Sequence, residues 1–253
     1  MKHPDDGFKS LRQYGEYNHS LRAYAAAELY HATGEKRFHE DFRRHTPYDR
    51  VPTAELESYG YFDCSLAAYS YSLVPEEKCD PALRKAVVGA IAKQADMFIR
   101  NCDQLAFKFL KHPYSPVTWG SGAYENFAVP VAFMWRLTGD SKYRDWLIRT
   151  CDNTLGANPM GISWIVGLGE RTVRCPLHNS RYRPDGVAVS GLQVQGPMQR
   201  GSGYCFTETC YPWFKDGIAK MHVFADVHFC IAMDEPTANN MANTMMIFGI
   251  LCK

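Results

Sequence analysis

The sequence predicts an all-α protein assembled from helical hairpins. Three observations carry that prediction. Apolar residues recur at three and four positions over 81–102 and again over 238–250. A helix–turn–helix pattern occurs twice, as AAAELYHATGEKRFHEDF over 25–42 and as VPVAFMWRLTGDSKYRDW over 129–146. Within the irregular region 156–225 only one short piece, SWIVG, reads as strand-like. Repeated hairpins fit an architecture in which each buries one face against its neighbours.

Taken in order, residues 10–33 read as a helix that stops at Gly34. A second helix is expected from Lys36 to about Arg44, and a third from Tyr61 to Leu73. PALRKAVVGAIAKQADMFIRNC, 81–102, is the clearest amphipathic helix, with Pro81 at its start. Helices follow over 122–137 and 141–155. At both hairpin junctions the spacing repeats: Thr33-Gly34-Glu35 and Thr138-Gly139-Asp140. The glycine permits a left-handed cap, and the acidic residue starts the next helix.

From Gly156 to Ala225 the texture changes to Gly, Pro, Asn and aromatic residues. Long ordered loops in compact domains are usually functional. Trp164, Tyr182, Tyr204, Tyr211 and Trp213 suit sugar-face stacking, and equally suit packing within the loops.

Bulk composition excludes several classes. Net charge is +1, which gives no electrostatic case for nucleic acid or an anionic membrane surface. No run approaches about 18 consecutive apolar residues, so no transmembrane helix is expected. The start, MKHPDDGFKS, lacks the apolar centre of a signal peptide. The nine cysteines are odd in number and include no CxxC pair. Most read as reduced core thiols, with Cys64, Cys102, Cys151, Cys230 and Cys252 in apolar or helical settings; Cys205 and Cys210 share a loop and could pair. No cofactor and no metal are expected.

The chemistry concentrates at the end of the chain, FADVHFCIAMDEPTANNMANTMMIFGILC. Asp226 and Glu235 stand nine positions apart, with FCIAM between them. Ala238, Met241, Ala242, Met245, Met246, Gly249 and Ile250 then follow helical spacing. Asp234 is expected as the N-cap and Pro236 in the first turn, placing Glu235 beside the positive end of a buried helix. That placement suits a titrating carboxyl and suits a plain acidic cap equally. A rival grouping is His222, Asp226 and His228, which would share one face of a strand and could in principle hold zinc, though no separate fourth ligand is suggested.

Four segments resemble glycoside hydrolase family 9. Thr154-Leu155-Gly156-Ala157-Asn158-Pro159 is similar to the end of the family's penultimate hairpin. Ser163-Trp164-Ile165-Val166-Gly167-Leu168-Gly169, followed by Pro176-Leu177-His178-Asn179, resembles its first signature. Phe224-Ala225-Asp226, Ile231 and Asp234-Glu235 resemble its second. Trp119-Gly120-Ser121 and Leu137-Thr138-Gly139-Asp140 also look like the family. The resemblance implies an α/α toroid of six helical hairpins, and a single domain over 1–253 that is the C-terminal part of such a catalytic domain. It implies Glu235 as general acid, Asp226 as the second signature's other acid, and His178 on the sugar hydroxyls. Arg181, Trp119, Trp164, Tyr204 and Trp213 are the expected substrate contacts. An oligo- or polysaccharide is the expected substrate, and the expected compartment is outside the cell or in the periplasm. Glycoside hydrolysis needs a carboxylic acid held protonated near neutral pH, which an apolar setting achieves by desolvation.

The departures from the family pattern matter. The family's Asp-Ala-Gly-Asp motif, source of the water-activating base, does not occur; Asp5-Asp6-Gly7 and Pro184-Asp185-Gly186 are poor substitutes. An inverting enzyme needs two carboxyls about 6.5–9.5 Å apart. The expectation is therefore a toroid incomplete at its N-terminus, with the missing part of the same enzyme as partner. The family's Pro-His-His-Arg becomes Pro176-Leu177-His178-Asn179-Ser180-Arg181, and Asp234 stands where Asn is usual. A carboxyl at 234 would raise the pKa of Glu235 by like-charge repulsion. The remaining readings are a non-catalytic carbohydrate-binding fragment, a degenerate relative, and a lyase-type toroid using Tyr204 or Tyr211.

Overall fold

The structure is a computed structural model that describes residues 11–48, 64–111, 125–179, 186–197, 222–228 and 230–252. The chain falls into two compact units, residues 1–94 and 95–253. No strand occurs among the described residues.

In the first unit, α1 (Leu11–Thr33) packs against both α2 (Lys36–His45) and α3 (Cys64–Ser72). Among the side chains of α1 that are described, the buried ones are Ala23, Ala26, Ala27 and Tyr30, at the three- and four-residue spacing of one helix face. Small side chains there let the partner helices approach closely. Phe42 and Tyr71 fill the space above them, stacked at 4.4 Å between ring centroids. The Tyr30 hydroxyl donates to the Lys78 carbonyl at 2.6 Å. The Asp80 N–H donates to the Tyr71 hydroxyl at 3.1 Å. Burial pushes the Tyr71 phenol up to about 12.

Helix α4 (Pro81–Cys102) has the bounds expected from sequence, and the division between the units falls within it. Asp80 starts it. Its Oδ1 accepts the Ala82 and Leu83 N–H groups at 2.9 and 3.2 Å, which offsets two of the four orphan donors of a helix start.

In the second unit, a 3₁₀ turn (Glu125–Ala128) leads into α5 (Val129–Thr138), and α6 (Ser141–Thr154) returns antiparallel. The sequence predicted continuous helix over 122–137; the described part begins as 3₁₀ and becomes α-helical at Val129. Lys142 and Tyr143 at the start of α6 both donate to Asp96 Oδ1, at 2.9 and 3.1 Å. The Leu110 N–H reaches Thr150 Oγ1 at 3.0 Å.

The two hairpin junctions are the same device. Gly34 and Gly139 adopt φ of 71° and 67°. Each donates its N–H four residues back, to Tyr30 and Trp135, at 2.8 and 2.9 Å. The preceding threonine also repeats: Thr33 Oγ1 donates to the Leu29 carbonyl and Thr138 Oγ1 to Met134, both at 2.7 Å. Each hydroxyl then accepts the N–H of the following acidic residue at 3.2 Å. Among the described cysteines, Cys79, Cys102, Cys151 and Cys230 are buried thiols, whereas Cys175 and Cys252 are exposed. Cys252 thus lies at the open end of its helix, not in the core. Cys205 and Cys210 lie outside the described residues.

The chain's last helix, α8 (Ala238–Leu251), packs on α5, α6 and the 3₁₀ turn. It corrects the expectation of a buried apolar stripe. The residues it buries are Asn240, Thr244 and Ile247, while Met245 is 75% exposed. Asn240 Nδ2 donates to Gln195 Oε1 at 3.2 Å, and the Thr244 hydroxyl donates to Gln193 Oε1. Two polar side-chain pairs therefore seat this helix, although the buried Asn240 Oδ1 has no hydrogen-bond partner among the described residues.

Candidate active site

The floor of the site is a small apolar core made by the loop region itself. Trp164, Val166, Val173, Val194, Val223, Phe224, Ala232 and Met233 are buried together. Alternation explains the arrangement. Val166 donates to the Leu192 carbonyl, Val194 donates to Trp164, and Gly191 donates to Val166. These bonds pair the two segments antiparallel, with an isolated bridge at Ile165–Gln193, while a separate parallel bridge joins Ser163 to Thr172. The predicted SWIVG strand is thus a set of single bridges. Asn158 braces its approach: Nδ2 donates to the Asn153 and Ile162 carbonyls at 2.7 and 2.8 Å, and Oδ1 accepts Met160 N–H at 3.1 Å.

Trp164 requires a correction. It was expected to contact substrate, but it has no solvent exposure and packs edge-on against Phe224 at 4.9 Å. No ring face is left for a sugar. Trp119, Arg181, Tyr204 and Trp213, with Tyr182 and Tyr211, lie outside the described residues.

On this floor three segments meet. The first carries Asp226. Its carboxylate accepts Arg174 N–H at 2.9 Å and Cys175 N–H at 2.8 Å, so both oxygens are held by main-chain donors of the 174–178 loop. The second is that loop itself, where Leu177 N–H donates to the Asp234 carbonyl and His178 N–H to Pro176, both at 2.8 Å. His178 stands exposed at its end. The third is the one-turn helix α7 (Ile231–Asp234) and the two residues after it. Gly196 N–H donates to Met233 at 2.9 Å, and Pro236 bridges to Val194. Residues 233–236 are therefore fastened on both sides by neighbouring main chain.

Glu235 is partly exposed and extended, at φ −74° and ψ 122°. The sequence placed it in the first turn of the last helix, capped by Asp234. The cap is instead Thr237, whose hydroxyl accepts Asn240 N–H at 3.4 Å, and α8 starts three residues after Glu235. Pro236 is occupied in the bridge to Val194, which delays the helix.

Asp234 is the acid with the displaced pKa. Burial first, then the Asp226 charge, push its carboxyl up to about 9, with the Val227 N–H at 3.3 Å acting in the opposite direction. The sequence led to the expectation that Asp234 would raise the pKa of Glu235 by like charge; the raised carboxyl is Asp234 itself, and the charge acting on it is that of Asp226. The zinc grouping is not assembled, because Asp226 turns both oxygens to main-chain N–H groups. Among the described residues no three His, Cys, Asp or Glu are placed to hold a metal ion. Nor is any described helix long and apolar enough to cross a membrane.

The comparisons with known proteins bear on the family and the fold. The family profile described as Glycosyl hydrolase family 9 matches residues 3–248. Endoglucanase C of Cellulomonas fimi is 30% identical over 241 residues, covering 89% of this chain and 21% of that protein. A cellulose 1,4-beta-cellobiosidase of Acetivibrio thermocellus is 26% identical over 201 residues, covering 70% of this chain and 22% of its own length. Among solved structures, a metagenome-derived glycoside hydrolase family 9 endoglucanase superposes with a TM-score of 0.72 at 24% identity, covering 92% of this chain and 40% of that one. A thermostable endoglucanase from Alicyclobacillus acidocaldarius gives 0.73 at 20% identity, covering 92% and 42%. The helical hairpins found here are those of the α/α-toroid endoglucanases, and the chain spans about two fifths of those solved structures.

Proposed function

Because the chain belongs to glycosyl hydrolase family 9, we propose that it carries the acid half of a glycosidase site, acting on β-linked glucans or related oligosaccharides. The observation that carries this reading is the convergence of Asp226, the His178 turn and Glu235 on one main-chain network. In the proposed chemistry Glu235 protonates the leaving glycosidic oxygen. Asp226, fixed by two backbone donors, supplies a carboxylate of set position, and exposed His178 meets sugar hydroxyls. The inverting route then requires a second carboxylate to activate water on the opposite face. No Asp-Ala-Gly-Asp motif in this sequence provides it. The proposed setting is a single catalytic domain of which 1–253 is a part, working outside the cell on polysaccharide.

The missing motif also favours a second reading, in which this chain binds β-glucan without cleaving it. One assay separates the two. Soluble β-glucan is incubated with the chain and with Glu235→Gln, and reducing ends and binding are both measured. Loss of at least a hundredfold in hydrolysis for Glu235→Gln supports the acid role. Equal hydrolysis by both removes Glu235 from that role. Sugar binding with no hydrolysis by either selects the binding reading.

A further inference from the structure

Asp234 is the one Asp or Glu with no solvent exposure among the described residues. Its two oxygens are treated differently. Oδ2 accepts the Val227 N–H at 3.3 Å, while Oδ1 has no hydrogen-bond partner among the described residues. The groups that face it are mostly anionic or neutral. Asp226 acts on it with like charge, Asp234 in turn acts on the Cys175 thiol, and Arg174 acts on that thiol with opposite charge. Glu235 follows in the chain, and the 177 turn, with His178 next to it, meets it through main chain. An ionised carboxylate in such a place would be a desolvated charge with one long hydrogen bond and a second acid nearby. A neutral carboxylic acid leaves only a hydroxyl short of a partner, a much smaller cost.

The same residue joins the three segments of the site. Its side chain holds the N–H of the residue after Asp226. Its carbonyl holds Leu177 N–H at 2.8 Å, next to His178. Its own N–H is anchored to Cys230 at 2.9 Å, and its peptide continues into Glu235. We propose that Asp234 is a positioning residue that stays an uncharged carboxylic acid, and that it sets where Glu235 stands relative to Asp226 and the His178 turn. The word positioning rests on the glycosidase reading above; the protonation state does not. Burial and the Asp226 charge, which raise the Asp234 pKa, act in the direction the geometry requires.

The test is an NMR titration of the full chain carrying ¹³C-labelled Asp, beside Asp234→Asn, which is neutral at every pH. One Asp carboxyl is expected to remain protonated at pH 7, to titrate near pH 9, and to vanish from the variant's spectrum. The backbone amides of Val227, Leu177 and Glu235 are expected to shift with that same transition in the wild type and to stay flat in Asp234→Asn. If every Asp carboxyl is already ionised at pH 7 in the wild type, the uncharged state is overturned without recourse to any variant. If the carboxyl titrates while the Glu235 amide does not move, the positioning role is overturned. A failure to bind β-glucan counts against the functional reading alone, because neither of these readouts involves sugar.

Discussion

At the scale of single residues, the site shows how burial reassigns roles that sequence proposes. Trp164 lies in a motif that resembles a glycosidase signature, and aromatic rings in loops often stack on sugars. Here its ring is spent on Phe224 and the valines around it. Trp164→Ala should therefore cost about 3–5 kcal/mol of stability, as large-to-small changes in cores do, read by chemical denaturation. A surface stacking residue would change stability by only about 0.5 kcal/mol or less, and such a small loss would return Trp164 to the substrate. Asp226 was legible from its spacing to Glu235, whereas its partners were not. The Arg174 and Cys175 N–H groups come from some fifty positions away, and no local pattern announces a long-range contact to backbone. Asp234 was misread for the same reason. Asp-Glu-Pro reads as a helix start, but the bridge from Val194 to Pro236 holds the chain extended until Thr237.

At the scale of elements, the repeated hairpin junction is where sequence was most informative. Thr-Gly-acidic encodes three local bonds, each within four residues, so both copies fold alike. One difference is chemical. Asp140 accepts Lys142 N–H at 2.9 Å, while Glu35, in nearly the same conformation, makes no capping bond and pairs with Arg37 at 2.9 Å. The extra methylene of glutamate carries its carboxylate past the helix start, and an exposed pair of this kind contributes little. Glu35→Asp should accordingly stabilise the first hairpin by about 0.5–1 kcal/mol, and Asp140→Ala should destabilise the second by about 1 kcal/mol. Denaturation midpoints of the two variants check this; a loss for Glu35→Asp would show that the junctions are not equivalent. The bounds of α4 were legible because propensity, amphipathicity and the Asp80-Pro81 start all agree. The face of α8 was not. Its methionines mark a stripe, yet Asn240 and Thr244 are what it buries, because Gln193 and Gln195 stand opposite them.

At the scale of the whole molecule, the two units should respond to pH in opposite directions. In residues 1–94, burial lowers the pKa of His39 and of His45 below the ordinary imidazole value. Arg43 adds to the effect at His39, where Asp80 and Glu40 oppose it. At His45 Asp41 opposes it, while His19, Arg22 and Arg44 add to it. A group whose folded pKa is depressed binds its proton more readily when unfolded, if it is basic and buried neutral. The stability it contributes is therefore present above the ordinary imidazole value, about 6.5, and is lost as pH falls through the lowered one. In residues 95–253 Asp234 has the reverse sign. The unfolded chain releases that proton at about pH 3.9, whereas the folded chain keeps it to about 9, so stability falls across that interval as pH rises. Hydrogen exchange on the intact chain, corrected for intrinsic exchange rates, can read both at once. Opening of α2, residues 36–45, should become easier from pH 7 to pH 5, and His39→Gln with His45→Gln should flatten that change. Opening around 226–235 should become easier from pH 5 to pH 8, and Asp234→Asn should flatten it. A single trend shared by both regions would mean that one global transition, and not these buried groups, governs the pH response.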